Sequence, residues 1–263
     1  MGTGFEVLLQ GDDAQHLEAV AAAICEEFER LDRALSRFDP SSEISRINRE
    51  AGMKPVRVDR EIFALLDSCL NARKITDGWF DVTATSGGGG FTLDPESHTV
   101  TLAGPETSID PGAIGKGYAL DRGAEIMKMY GIESGLLHGG TSSVLAIGEW
   151  PVDIRHPNSI EADPVACIAL SGRAMSCSAV RHPGYLESDL IDPHTGIALT
   201  GDAACVVLAD RAVDAEFLST ALLAMGRIMA IDYLRNNSIA PGAAIGWIED
   251  GRELAWLTDE KLK

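Results

Sequence analysis

The chain has 263 residues, a formal net charge of −18 and a hydrophobic fraction of 45%. That length allows one large domain or two closely packed sub-domains, and we expect a single domain over residues 1–263. The acidic balance argues against a nucleic-acid backbone or an anionic membrane surface as a partner.

The cysteines and the first residues of the chain indicate in which cellular compartment the protein is expected. There are five cysteines, an odd number, and no two of them form a CxxC motif. This predicts free thiols and a reducing compartment. The sequence carries no recognisable signal peptide and no membrane-spanning run. We therefore expect a cytoplasmic protein, or a periplasmic one if an export signal has been removed.

The first third of the chain predicts one strand followed by helices with clear capping residues. The expected elements are a strand over 4–10, a helix from Asp12 or Asp13 to Leu35, a turn at 39–42, a short helix capped by Ser41 or Ser42, a strand over 56–58 and a helix from Asp59 to Ile75. Phe38 precedes the turn, and composition alone favours a core position for it over stacking on a ligand ring. The glycines at 87–90 predict a flexible loop tip or a close approach to a ligand, and the loop is favoured.

The remaining elements are mainly strands. They are expected at 98–103, 135–138 with a continuation at 144–147 beyond Gly139-Gly140, 151–155, 166–170, 174–178, 190–191 and 204–209, with helices at 213–225 and 227–234 and a closing hairpin of 243–249 and 252–258. Asp250-Gly251 is a type I′ turn signal between the two hairpin strands. This order favours an α+β fold with mainly antiparallel sheets.

Residues 109–121 are the most unusual stretch of the sequence. Asp110 and Pro111 are suited to begin a helix, yet Gly112, Gly115 and Gly117 lie in its first turns. Each glycine costs a helix about 1 kcal/mol relative to alanine, so another factor should compensate. A helix N-terminus with Lys116 beside it could bind nucleotide phosphate, or the glycines could allow tight packing of the helix on a sheet; both interpretations stay open.

Several segments taken together resemble the ApbE family, the FAD:protein FMN transferases. The segments that carry the resemblance are Met1–Thr3, Leu35–Asn48, Gly78–Thr83, Ile109–Asp121, Gly139-Gly140, Leu190–Gly196 and Ala215–Leu222. The resemblance implies a duplicated α+β unit of the tunnelling type, with antiparallel sheets flanked by helices. It also implies transfer of FMN from FAD, with Mg²⁺, to a threonine of an acceptor flavoprotein and release of AMP.

The resemblance also implies the site residues. Those expected to contact FAD are Met1, Phe38, Phe80, Asp81, Val82, Asp110 and Lys116. The Mg²⁺ ligands would be the carbonyl oxygen of Ala113 and the side chains of Glu216 and Thr220. These last two are four residues apart on a predicted helix and so share a face, and their hard oxygens suit Mg²⁺. Without the resemblance, Glu216 is more simply a solvated helix residue.

The sequence departs from the family pattern at several positions. Glu216 stands where the family usually has aspartate, Thr141 follows Gly139-Gly140 where aspartate is usual, and Ser176-Cys177-Ser178 matches a Thr-Ser-Gly segment poorly. Asp189 stands where the family usually has histidine, which makes it the first candidate for the general base, ahead of His138 and His182. These departures leave open a flavin-binding protein without transferase activity and an FAD pyrophosphatase that gives FMN and AMP.

Overall fold

The computed structural model describes residues 3–155, 163–180, 188–237, 242–249 and 253–258. The helices in these ranges are α1 (Ala14–Leu35), α2 (Glu43–Glu50), α3 (Arg60–Ile75), α4 (Gly115–Met129), α5 (Ala212–Met225) and α6 (Arg227–Asn236). The strands are β1 (Phe5–Gln10), β2 (Val56–Arg57), β3 (Phe91–Asp94), β4 (Thr99–Leu102), β5 (Ser134–Gly139), β6 (Ser143–Ile147), β7 (Glu149–Ile154), β8 (Ala166–Ser171), β9 (Ala174–Ala179), β10 (Ala204–Ala209), β11 (Ala244–Glu249) and β12 (Glu253–Trp256).

The largest sheet has seven strands in the order β1-β5-β6-β9-β10-β11-β12. Each neighbouring pair in this sheet is antiparallel. β2, β4 and β3 form a second sheet and β7 pairs with β8 in a third, both also antiparallel. The predicted α+β class, with antiparallel sheets and flanking helices, is confirmed.

The seven-stranded sheet is covered on both faces. In β10, Cys205 and Val207 pack into the core that contains the helices. Val206 and Leu208 point the other way, into a second cluster that includes residues of β7 and β8. Because side chains alternate along a strand, a continuous apolar run is what a strand buried on both faces requires. α5 packs on β9 and β10 and is itself apolar almost all round.

Three predicted helix starts are confirmed by their capping contacts. Asp13, Ser42 and Asp59 each accept a hydrogen bond from a backbone N–H three residues later. Each satisfies one of the N–H groups that a helix leaves unpaired in its first turn.

Two predicted elements differ in the structure. Asp110 caps a 3₁₀ turn at Pro111–Ala113, and α4 begins only at Gly115. Residues 135–147 are not one interrupted strand: β5 and β6 form a hairpin that reverses at Gly140, whose φ of +66° suits glycine. The positive φ of Gly140 belongs to a turn that reverses the chain, so β6 runs antiparallel to β5. A bulge at this glycine would instead have let one strand continue.

Other differences are local. β3 was not predicted, and it follows directly on the loop glycines at 87–90, all of which have positive φ. At 190–199 the structure has a turn closed by a single bridge between Ile191 and Ala198. β11 and β12 pair as predicted, and their Asp250-Gly251 turn lies outside the described residues.

All five cysteines are free thiols, as predicted. Among the described parts of the chain, no helix combines the length and apolar character needed to cross a bilayer.

Candidate functional site

A hydrogen-bonded junction holds residues 80–82 beside the start of the glycine-rich stretch. The side-chain amide of Asn48 donates to the carbonyl oxygen of Ile109 at 2.9 Å and accepts from the Ile109 N–H at 2.7 Å. The next N–H, of Asp110, donates to the carbonyl oxygen of Val82 at 2.7 Å. Three segments that are distant in sequence therefore meet directly before the 3₁₀ turn.

Asp110 links this junction to an exposed aromatic ring. One carboxylate oxygen accepts from the Gly112 N–H at 3.0 Å, and the other lies 3.2 Å from Nε of Arg37. The Arg37 guanidinium carbon lies 4.6 Å from the ring centroid of Phe38. Phe38 is 80% exposed, so its predicted core position is wrong, and its ring is accessible to a planar ligand. Arg37 was missed, although it adjoins Phe38 in the Leu35–Asn48 segment.

The side chains at 80–82 face the protein interior. Phe80 is buried and packs against Phe217 of α5, with 5.9 Å between ring centroids, and Val82 is buried too. The Asp81 carboxylate lies 3.1 Å from Nε of Arg73 and accepts hydrogen bonds from Thr83. A contact of this segment with FAD remains a prediction, and it would rely on backbone atoms rather than on these side chains.

Glu216 is the one charged residue that is buried among the described residues, with 2% of its surface exposed. The expectation of a solvated helix face is therefore wrong. Its Oε2 accepts from the Gly117 N–H at 2.9 Å, and its Oε1 accepts from the Ser143 hydroxyl and lies 3.1 Å from Nζ of Lys116. A buried carboxylate needs this many partners because its desolvation costs several kcal/mol.

Close packing of α4 against α5 brings Gly117 to Glu216. A Cβ on Gly117 would lie 2.5 Å from the carbonyl oxygen of Ala212, so only glycine fits there without movement. For Gly117, tight packing is confirmed as the reason for the glycine, and its partner is a helix rather than a sheet.

Asp121 docks the N-terminus of α5 onto α4. Its carboxylate accepts from the Ala212 N–H at 2.8 Å and from the Val213 N–H at 3.1 Å. Burial raises the pKa of Asp121 to about 6, outweighing these two hydrogen bonds, which favour the charged form. Glu216 follows one turn after Ala212, so this docking also sets the position of the buried carboxylate.

A chain of hydroxyl groups connects β9 to the same face of α5. Ser178 Oγ lies 3.2 Å from Oγ1 of Thr220 and 2.8 Å from Oγ of Ser219. Ser219 Oγ also lies 3.0 Å from the Glu216 carbonyl oxygen and 3.1 Å from Oγ of Ser176, and it can donate its single proton to either. The segment that matched the family pattern poorly therefore contacts the helix that carries Glu216 and Thr220. The contact of Ser176-Cys177-Ser178 with α5 could not be predicted from the spacing of residues in the sequence.

The three predicted metal ligands suit a hard cation such as Mg²⁺. α5 packs against the 3₁₀ turn that carries Ala113, and Thr220 lies one turn after Glu216 on the same helix. The buried carboxylate already faces a cation, the ammonium group of Lys116. No group of three or more His, Cys, Asp or Glu residues able to hold a metal occurs in the described ranges. A metal held here would thus have one carboxylate and neutral oxygens, which leaves positions for ligand phosphates.

The structure leaves the remaining candidates as predictions. Met1 and His182 lie outside the described residues. Asp189 is exposed at the start of the segment 188–199, which reaches Trp79 through His194, with 4.5 Å between the two ring centroids. His138 is half-buried in β5, and burial lowers its pKa.

Comparisons with known proteins agree on one family. The model of the ApbE family matches residues 1–88 and 89–241. The chain is 25% identical to the FAD:protein FMN transferase of Escherichia coli K12, over 91% of this chain and 80% of that protein. It is 27% identical to the FAD:protein FMN transferase of Treponema pallidum, over 79% of this chain and 72% of that protein.

Solved structures share the fold over nearly the whole chain. The ApbE protein from Thermotoga maritima superposes with a TM-score of 0.85 at 23% identity and covers 97% of this chain and 93% of its own. The flavin transferase ApbE from Vibrio cholerae superposes with a TM-score of 0.80 at 21% identity, over 97% of this chain and 93% of that protein.

Proposed function

Because the chain belongs to the ApbE family, we propose that it is a flavin transferase that takes FMN from FAD and attaches it to an acceptor protein. Curated relatives matched over most of the chain are named FAD:protein FMN transferases. The structural observation that carries the proposal is the buried Glu216 carboxylate, which meets Lys116 and the first turn of α4. An acidic protein binds a dinucleotide only where cationic groups offset its phosphates, and in this proposal Lys116 and a divalent cation at Glu216 do so.

The finer proposal concerns the metal and the bonds that change. Glu216, Thr220 and the carbonyl oxygen of Ala113 would hold Mg²⁺, which supplies Lewis-acid polarisation of the FAD pyrophosphate when bound. The acceptor is a threonine hydroxyl, whose oxygen forms a bond to the phosphorus of the FMN moiety. The bond from that phosphorus to the bridging oxygen breaks, AMP leaves, and the hydroxyl proton passes to a base. Asp189 is the proposed base.

The residues of this chain mainly bind and orient FAD in this proposal. The exposed ring of Phe38, held under Arg37, stacks on a ring of FAD. Arg37 in turn forms an ion pair with Asp110, which caps the 3₁₀ turn. The position of the Phe38 ring is therefore coupled to that turn. Lys116 provides a point charge for the phosphates, and the docking of α4 on α5 fixes the point from which its flexible side chain leaves the helix.

A direct assay tests this function. The purified protein is incubated with FAD, Mg²⁺ and an acceptor flavoprotein domain, and covalent flavin is read by in-gel fluorescence while AMP is read by chromatography. We expect labelled acceptor and an equal amount of AMP, both lost with EDTA, with a threonine-to-valine acceptor and with Glu216→Gln. FAD binding without AMP would indicate a binding protein, and AMP with free FMN in the absence of acceptor would indicate a pyrophosphatase; either result contradicts the proposal.

A further inference from the structure

Lys116 and Glu216 form an ion pair in which the two partners are unequally buried. The Glu216 side chain is 3% exposed and the Lys116 side chain is 20% exposed. The carboxylate is fixed by Gly117 and Ser143 as well, whereas the ammonium group forms no other ion pair with the part of the chain that the structure describes. The lysine is therefore the more mobile partner, because it has a flexible four-carbon stem and a path to solvent.

The stem of Lys116 leaves α4 beside the hairpin turn. A Cβ placed on Gly139 would lie 3.4 Å from Cβ of Lys116, so the lysine runs directly past the Gly139-Gly140 turn. The same carboxylate oxygen that accepts from Ser143, the first residue after that turn, is the one 3.1 Å from the ammonium. The ammonium thus lies on the carboxylate that the proposed metal site would use.

We propose that Lys116 occupies the cation position at Glu216 in the ligand-free protein and leaves it when a divalent cation binds, moving to the phosphates of the dinucleotide. This inference rests on the proposed function. Two cations at one buried carboxylate oxygen repel each other strongly in a medium of low dielectric constant, so metal and ammonium exclude one another there. The phosphates offer the displaced ammonium a new counter-ion.

The exchange makes metal binding depend on the nucleotide. Without nucleotide, a metal must displace Lys116 into water. The binding free energy of the metal is then less favourable by the free energy of the Lys116–Glu216 ion pair. With FAD present, the displaced lysine gains the phosphates, so FAD and metal each strengthen the binding of the other by the same factor. The charge of the site stays balanced in both states, which avoids an unpaired buried carboxylate.

Metal titration of variants without nucleotide tests the exchange. Mn²⁺ is titrated, with the free ion followed by electron paramagnetic resonance, into the wild type, Lys116→Met and Lys116→Gln. We expect both variants to bind Mn²⁺ about tenfold or more tightly than the wild type, within the range of usual coupling factors. Lys128→Met, with the same charge change at an exposed position on the same helix, should match the wild type. If Lys116→Met does not fold, Lys116→Gln alone provides the comparison with the wild type, because the glutamine amide can still donate to Glu216.

Thermal unfolding separates exchange from a purely structural ion pair. Under the exchange, Lys116→Met lowers the melting temperature without metal, and Mn²⁺ restores it more fully than it raises that of the wild type. Unchanged or weaker Mn²⁺ affinity in both variants would overturn the inference while leaving the transferase proposal intact. Absence of Mn²⁺ binding by the wild type even with FAD would overturn both.

Discussion

The backbone N–H of Gly117 donates a hydrogen bond of 2.9 Å to the carboxylate of Glu216, 99 residues later in the chain. The contact joins the first turn of α4 to the interior of α5. The helix N-terminus that the glycines suggested as an anion site is thus partly used by an anion of the protein itself. A bound dinucleotide would share this end of α4 with Glu216.

Gly117→Ala is expected to destabilise the protein. Alanine normally favours a helix by about 1 kcal/mol, but here its Cβ would meet the Ala212 carbonyl oxygen at 2.5 Å. Because a Cβ is held rigidly on α4 and the oxygen belongs to the backbone of α5, the two helices must separate, at a cost of about 1–3 kcal/mol. Urea unfolding measures the change in free energy of unfolding. Gly104→Ala, where a Cβ meets nothing within 4 Å, is the control. Equal stabilities of the two variants would contradict the packing explanation.

Phe38→Ala is expected to weaken FAD binding without loss of stability. The ring is 80% exposed, so truncation removes little buried surface, whereas loss of stacking should raise the dissociation constant about fivefold to tenfold. Quenching of flavin fluorescence gives the affinity and thermal unfolding gives the stability. Met53→Ala removes another side chain that is 73% exposed and should leave FAD binding unchanged. A matching loss in both variants would argue against a specific role for Phe38.

Asp121→Asn is expected to change how stability depends on pH. The pKa of Asp121 is raised to about 6 by burial, above its ordinary value of 3.8, so the folded state holds this proton more tightly than the unfolded chain. That contribution to stability is complete below about pH 4 and is lost as the pH rises through 6, by about 3 kcal/mol at most. The wild type should therefore lose stability relative to the variant between pH 4 and 7.

Urea unfolding at several pH values checks this expectation for Asp121. Asp67→Asn, at an exposed position on α3, should follow the wild type over the same range. A difference between wild type and Asp121→Asn that does not vary with pH would show that the carboxylate titrates alike in both states.

Asp189→Asn is expected to lower FMN transfer about a hundredfold or more, because the amide cannot accept the threonine proton. Its exposure means that the substitution should not alter folding, so FAD affinity and melting temperature should stay unchanged. Initial rates of acceptor labelling provide the measurement, and Asp202→Asn provides a control in a nearby loop. Full activity of Asp189→Asn would remove it as the base and return attention to His138 and His182.

Local signals in the sequence predicted most of the elements. The caps Asp13, Ser42 and Asp59 act within three residues of their own position, so short-range pattern is sufficient to find them. The hairpin at Gly140 was read as an interrupted strand, because a glycine pair inside an apolar run is equally consistent with a bulge and with a reversal.

The site could be predicted only in part, because its contacts join distant segments. The family resemblance pointed to Glu216, but its burial depends on Gly117, Ser143 and Lys116, which no local pattern connects. Phe38 was placed in the core since composition says nothing about which aromatic rings remain exposed. Arg37 was missed because its partner Asp110 is far away in sequence.

The contribution of α5 has a consequence for synthesis on the ribosome. Lys116 and the glycines of α4 emerge well before Ala212–Met225, the segment that carries Glu216 and Thr220. A nascent chain halted before α5 therefore displays the lysine without the carboxylate that pairs with it in the folded protein. Under the proposed function, metal-dependent binding of FAD must therefore wait until translation has passed Thr220, and it follows release of this helix from the exit tunnel.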